Sequence, residues 1–216
     1  MADITSILPD LAAETPVWLS LAATAMGALQ GALMARQHAP KVDIVGLAVL
    51  ALSLGFGGSL IRDVLIGNTP PEALRHWEYI AVVIIAIAVM AVLGTQLAKL
   101  AYALFVLDAL TMGLFAAVGA QYALTVHLSA LTAVFIGSFA AVGGGVAAAI
   151  LLRESPEIMR PGPPVAVAAV AGAIVFVLLD DISGGIASAA CIAVVFAIRV
   201  IAERIGLKTS PVQPID

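Results

Sequence analysis

The sequence predicts an all-α integral membrane protein with seven transmembrane helices, on the basis of its composition and its apolar segments. Hydrophobic residues make up 62% of the chain and charged residues 11%, whereas soluble domains average about 45–50% and about 25%. A membrane-spanning helix needs about 20 apolar residues. Seven segments fit that length, and the predicted spans are 16–35, 42–66, 77–98, 103–125, 128–152, 164–180 and 184–202.

The basic residues are distributed unevenly about these spans. If residues 1–15 lie outside, eight Lys or Arg residues fall on the cytoplasmic side and two, Arg62 and Arg75, fall outside. Short cytoplasmic loops carry an excess of Lys and Arg. We therefore expect a multi-pass protein of the cell inner (plasma) membrane, with its N-terminus outside and its tail, residues 203–216, in the cytoplasm. Residues 1–15 contain no Lys or Arg, so the first span is expected to be a retained helix and not a cleavable signal.

Composition and motifs also exclude several function classes. The net charge is −4 and no basic run occurs, which argues against nucleic-acid binding. The sequence contains no nucleophile paired with a nearby histidine, no Cys/His metal spacing and no phosphate-binding glycine loop. We therefore expect neither an enzyme nor a protein with a bound cofactor. Abundant Ala and Gly suit helices that pack closely within membrane lipids.

The chain contains an internal repeat of three helices. Residues 16–98 and 103–180 each comprise a span, a second span with a glycine cluster, a polar turn with the pattern Pro-Glu-x-x-Arg, and a third span. An odd number of spans inverts the second unit relative to the first. Inverted repeats of this kind are typical of membrane transport proteins. Residues 184–202 form a seventh helix outside the repeat.

Each glycine cluster lies inside a long apolar run. The clusters are Gly57, Gly58 and Ser59 in the second span, and Gly143, Gly144 and Gly145 in the fifth. Consecutive glycines let a helix kink or open, and irregular backbone in a membrane must be buried in protein or line water. We therefore predict two broken helices that line a pore, with tight helix packing as the alternative. Ser138 is a further pore candidate, although serines in spans usually bond their own helix.

Three charged residues are candidates for the same pathway. Arg62 and Asp63 follow the first glycine cluster by one turn. Charged groups in a membrane usually face an aqueous cavity or a partner, so we expect at least one of them to face the pore; the alternative is an interfacial anchor. Because neighbours on a helix point in different directions, we do not expect the two to pair with each other. Asp108 lies near the start of the fourth helix, either at the inner mouth of the pore or as a carboxylate stabilised by the helix dipole.

Residues 57–65 resemble the Gly-Gly-Gly-x-x-Arg-Asp signature of the prokaryotic TRIC (trimeric intracellular cation) channels, a family also labelled glycine transporter. Residues 141–145, with Pro156 and Arg160, resemble its second copy, and residues 107–109 resemble the start of the family's fourth helix. The resemblance implies a homotrimer in which each protomer has its own pore between the second and fifth helices. It also implies potassium or sodium as the permeant ion.

The chain departs from the TRIC pattern at three places. Ser59 replaces the third glycine of the first cluster, Ala148-Ala149 stands where the second repeat usually has Arg-Asp, and Ser20 stands where an Asp is frequent. The sequence thus favours a potassium-permeable monovalent cation channel. A secondary transporter of a small solute such as glycine is the main alternative, since inverted repeats with broken helices also occur in transporters. A structural or assembly subunit without flux is the third interpretation.

Overall fold

The structure, a computed structural model, describes residues 17–38, 43–97, 102–207 and 209. These residues form seven long helices and no strand. The helices are α1 (Val17–His38), α2 (Ile44–Ile66), α3 (Trp77–Leu97), α4 (Ala103–Thr125), α5 (Ala130–Leu151), α6 (Val165–Leu179) and α7 (Gly184–Ile205). A short helix, Glu72–Arg75, follows α2, and a 3₁₀ turn, Glu157–Met159, follows α5. Of the predicted terminal segments, residues 1–15 and 210–216 lie outside the described residues.

The outer surface of the helical bundle is apolar. Helices α1, α2, α4, α5 and α7 are long and apolar enough to cross a membrane, and α3 and α6 contain shorter apolar stretches. Large hydrophobic side chains project from this surface, including Val49, Leu52, Ile84, Leu131, Phe135, Ile174 and Ile186. Soluble proteins rarely expose apolar surface so extensively. The predicted all-α membrane fold is therefore confirmed.

Small residues bring the helices close together. Helix α1 packs most extensively on α2, and α4 packs most extensively on α5. The two halves of the chain meet through α1–α4 and α2–α5, and α7 packs on α4 and α6. A Cβ added at Gly27 would lie 2.5 Å from the Leu54 carbonyl oxygen, and one added at Gly119 would lie 2.9 Å from the Gly137 Cα. The absence of side chains at these positions lets the backbones approach, as is usual in membrane bundles.

The prediction that the second and fifth helices open at their glycine clusters is wrong, whereas the kink stays a prediction. Helices α2 and α5 run without interruption through both glycine clusters. The glycines serve instead as the contact between the two helices, because a Cβ added at Gly57 would lie 2.7 Å from the Gly144 Cα. Glycine lowers helix propensity by about 1 kcal/mol, but the close packing that it permits keeps these helices intact. Tight packing, the alternative given above, describes the clusters in this structure.

The short links make successive helices run in alternate directions, so that each end of the bundle collects a defined set of helix termini. We call the end that holds the last turn of α2 and the first turn of α3 the Arg62 end. We call the opposite end, which holds the first turn of α4 and the last turn of α7, the Arg199 end. Each end contains an arginine that bridges two carboxylates, and these two groups position the candidate functional site.

Candidate functional site

At the Arg62 end, an arginine bridges two carboxylates inside the protein. Arg62 Nε donates to Asp63 Oδ1 at 2.7 Å, and Arg62 Nη2 donates to Glu72 Oε2 at 3.0 Å. The guanidinium lies 3.8 Å from the centroid of the Tyr122 ring, and the Tyr122 hydroxyl donates to Glu72. Arg62 is 1% exposed and Asp63 is fully buried. We call these four residues the sealed network.

The local sequence explains how the sealed network forms. Helix α2 ends at Gly67, whose φ of 75° is the left-handed conformation that glycine adopts without strain. The chain then turns back, and Pro71 precedes the short helix Glu72–Arg75. The backbone N–H of Glu72 donates to Asp63 Oδ2 at 2.8 Å. The Arg-Asp pair of α2 and the Pro-Glu turn that follows it are therefore parts of one structure.

The prediction that Arg62 and Asp63 do not pair with each other is wrong. The two side chains contact each other, although adjacent helix positions were expected to keep them apart, because the long arginine side chain curves back to reach its neighbour. Neither residue lines the cavity described below. A buried charge in a membrane is tolerated when it is paired and hydrogen-bonded. The sealed network satisfies both charges within the protein.

A cavity of about 390 Å³ occupies the Arg199 end. Its polar lining comprises Gln30, Gln37, Asp108, Thr111, Glu154, Ser155, Glu157, Arg160 and Arg199. Its lining extends to Leu54 of α2, Phe115 of α4, and Gly144 and Gly145 of α5. The cavity therefore begins among charged groups and reaches the glycine contact between α2 and α5.

A second arginine bridges two carboxylates beside this cavity. Arg199 Nη1 donates to Glu157 Oε1 at 2.9 Å, and Arg199 Nη2 donates to Asp108 Oδ2. Gln30 Nε2 donates to Asp108 Oδ1 at 2.7 Å. The Arg199 side chain is 3% exposed, but those of Asp108 and Glu157 are 25% and 50% exposed. We call these four residues the open network, because its carboxylates face water.

Two uncharged side chains beside the cavity have polar atoms without partners. Gln30 is 5% exposed and Thr111 is 4% exposed. Among the described residues, neither Gln30 Oε1 nor Thr111 Oγ1 has a hydrogen-bond partner. Buried polar atoms in proteins are nearly always satisfied by protein or by water. Both residues line the cavity, so it combines unpaired polar groups with the charged groups of the open network.

The predicted pore residues fall into different environments. Gly144 and Gly145 line the cavity, as does Asp108. A Cβ added at Gly58 would lie 2.8 Å from the Phe115 ring, and Gly143 faces Ile61. The hydroxyls of Ser59 and Ser138 donate to the carbonyls of Phe56 and Val134 on their own helices, as the alternative for serines in spans describes. Gly57 contacts the backbone of Gly144 next to the cavity.

Sequence reasoning missed Gln30, Glu157 and Arg199. Glu157 belongs to the Pro-Glu-x-x-Arg pattern, so its equivalence to Glu72 was a usable signal. Arg199 was counted only as a basic residue on the cytoplasmic side, although it lies within the last helix. No group of three or more metal-binding side chains occurs in the described part of the chain.

The comparisons with known proteins agree with this architecture. A family model described as Glycine transporter matches residues 17–95 and again residues 105–181. A TRIC trimeric intracellular cation channel orthologue from Rhodobacter sphaeroides superposes with a TM-score of 0.80, at 29% identity, over 88% of this chain and 98% of that chain. The protein belongs to the TRIC, or glycine transporter, family. The two matched segments lie on the two predicted three-helix units.

Other TRIC-family relatives extend the likeness. A second solved structure, described as the structural basis for conductance through TRIC cation channels, superposes with a TM-score of 0.78. It is 28% identical and covers 92% of this chain and 97% of that chain. A UPF0126 membrane protein of Deinococcus radiodurans is 33% identical over 162 residues, which are 74% of each protein. The UPF0126 inner membrane protein YadS of Escherichia coli K12 is 30% identical over 144 residues, 66% of this chain and 69% of YadS.

Proposed function

We propose that this TRIC-family protein is a channel for monovalent cations, permeable to potassium. The cavity at the Arg199 end is the observation that carries the proposal. It is lined by three carboxylates and reaches the seam between α2 and α5 near the middle of both helices. An acidic cavity with apolar walls raises the local concentration of cations. The solved relatives named as TRIC cation channels support the same function.

The permeation path continues from the cavity along the seam between α2 and α5. In this structure the seam is closed, since the backbones of Gly57 and Gly144 are in contact and Phe115 lies against Gly58. Beyond that contact lies the sealed network. Conduction therefore requires that α2 and α5 separate at the glycines and that the sealed network rearranges. Glycine contacts suit such a motion because no side chains interlock across them.

The permeant ion passes through by diffusion, without a cofactor. Potassium or sodium entering the cavity meets the carboxylates of Asp108 and Glu157, whose oxygens replace part of the hydration shell of the ion. The two unpartnered oxygens of Gln30 and Thr111 add further polar atoms beside that position. No step in this mechanism makes or breaks a covalent bond.

The assembly that we propose is a homotrimer in the cell inner membrane, with the N-terminus outside and the Arg199 end facing the cytoplasm. The excess of basic residues on that side supports the orientation. The solved relative named as a trimeric channel supports the assembly. Native mass spectrometry in mild detergent is expected to give the mass of three chains, and a monomer or dimer alone would contradict the trimer.

Recordings from purified protein in a planar lipid bilayer test the function. We expect unitary current steps carried by potassium, with protein-free bilayers as the control. Saturable uptake of glycine or another small solute without current steps would instead support a secondary transporter, the alternative that the family description preserves. Neither current nor uptake by correctly inserted trimers would leave only a structural subunit.

A further inference from the structure

The arginine of the open network comes from outside the internal repeat. Alignment of the glycine clusters of the two repeats places Arg62 opposite Ala148, and alignment of their Pro-Glu-x-x-Arg turns places Glu72 opposite Glu157. Ala148 is fully buried and has no side chain able to bind a carboxylate. Arg199 of α7 binds Glu157 instead. The seventh helix therefore supplies the guanidinium that the second repeat lacks.

Both guanidinium groups are buried, but the carboxylates that they bind differ in their exposure to water. In the sealed network the arginine and both carboxylates are buried in the protein interior. Among the charged residues of the open network only Arg199 is buried, whereas the two carboxylates that it binds reach the cavity. Arg199 thus holds Asp108 and Glu157 from the protein side, and their other side is accessible to ions in the cavity.

The cavity has a small negative charge that Arg199 controls. Its lining contains the carboxylates of Asp108, Glu154 and Glu157 and the guanidinium groups of Arg160 and Arg199, which gives a net charge of −1. Arg160 pairs with Glu154 at 3.5 Å on the more exposed side. Removal of the Arg199 charge would double the net negative charge beside the predicted entry of the pathway.

We propose that Arg199 is a specificity-determining residue that acts as a tethered cation. It neutralises part of the charge of Asp108 and Glu157 and thereby sets how strongly the cavity attracts monovalent cations, relative to anions. This inference rests on the proposed channel function. Arg199 is a positioning residue as well, since its two amino groups fix the separation of the two carboxylates.

The variant Arg199→Gln tests the electrostatic role. We expect its unitary potassium conductance to rise about twofold at about 20 mM salt, because a unit positive charge near the path weakens cation attraction by about that amount in a water-like medium. The difference should vanish near 1 M salt, where the screening length falls to about 3 Å. The permeability ratio of potassium to chloride should rise in parallel. Arg204→Gln removes the same charge from an exposed position on the same helix and is the matched control.

Two further variants separate charge from structure. Arg199→Lys keeps the charge but loses the two-pronged geometry, so we expect conductance close to that of the wild type. Glu157→Gln removes a half-exposed carboxylate, so its low-salt conductance should fall about twofold. If Arg199→Gln does not assemble, Glu157→Gln decides, and an unchanged low-salt conductance overturns the proposal.

The outcomes of these recordings distinguish the inference from the proposed function. Wild-type potassium currents combined with Arg199→Gln currents that match the wild type at every salt concentration would overturn the inference and leave the channel function intact. Absence of current from the wild type would overturn the channel function itself.

Discussion

The sealed and open networks use the same chemistry at opposite ends of one bundle. In each, a guanidinium bridges an aspartate on a helix and the glutamate of a Pro-Glu turn. The sealed network is buried, and Tyr122 lies across its arginine. The open network leaves both carboxylates exposed to a cavity. Glu72 and its counterpart in the second repeat, Glu157, therefore lie in different environments, one enclosed by protein and one facing a cavity.

Water access is the physical difference between the two ends. A buried ion pair is held by the full strength of its electrostatic and hydrogen-bonding contacts, and breaking it leaves an uncompensated charge. A pair that faces water can be rehydrated, and its attraction is screened by salt. Mutation of the sealed network should therefore change the free energy of unfolding more than the same mutation of the open network.

The largest expected effect contrasts the two arginines directly. Arg62→Gln leaves Asp63 and Glu72 buried without a cation, so it should destabilise the fold by about 3–5 kcal/mol. Arg199→Gln exposes its carboxylates to the cavity water, so the loss should be about 1 kcal/mol. Unfolding of both variants in mixed micelles measures the difference. Equal losses would show that the two networks are not distinguished by burial.

A smaller effect is expected where α2 and α5 meet beyond the cavity. Gly57→Ala places a Cβ against the backbone of Gly144, which should cost about 1–3 kcal/mol through overpacking. Gly145→Ala is the matched control on the cavity side, where no atom lies within 4 Å of the added Cβ. It should be neutral or stabilise the helix by up to about 1 kcal/mol. Thermal unfolding of both variants checks this, and equal shifts would refute the close contact.

The tyrosine of the sealed network should contribute less. Tyr122→Phe removes the hydroxyl that donates to Glu72, and the ring remains over Arg62. A hydrogen bond to a charged group contributes about 1.5–3 kcal/mol at most, and intramembrane bonds average about 0.6 kcal/mol. We expect a loss of about 1 kcal/mol, against none for Tyr102→Phe, whose residue is half exposed. A thermal unfolding series that ranks Tyr102→Phe as the more damaging change would argue against the network.

The smallest effect is expected for a charge change in the open network, where it appears as a change in conductance. Asp108→Asn removes one cavity charge, so unitary potassium conductance should fall about twofold at low salt and recover at high salt. Asp181→Asn changes an exposed aspartate at the Arg62 end and should leave conductance unchanged. Bilayer recordings at two salt concentrations compare the two. The same reduction in both variants would show a nonspecific surface effect.

The sequence was sufficient for the helices, the membrane fold and the family. Apolar segments of the required length predicted all seven long helices, because burial in lipid demands that length. The sequence could not show what the glycine clusters do, since a missing Cβ permits both an interrupted helix and a close contact with a neighbouring helix. Only the neighbouring helix decides between them, and Gly57 meets Gly144.

The partners of the charged residues could likewise not be predicted from the sequence. Arg62 and Asp63 are adjacent, and helix geometry alone argues against their contact. Their pairing depends on Glu72, which the turn after α2 brings back onto the same arginine. The partner of Glu157 is more distant still, since Arg199 lies on a helix outside the repeat. Asp108, a candidate from the sequence, lines the cavity, and its two partners come from α1 and α7.

The central claim is that water reaches the open network and not the sealed one. Hydroxyl-radical footprinting of the unmodified protein in lipid nanodiscs tests it with matched residue types. Met34, which lines the cavity, should be oxidised much faster than Met90, which is fully buried. Tyr122 of the sealed network should be protected relative to the half-exposed Tyr102. Rapid oxidation of Tyr122 together with protection of Met34 would contradict the account.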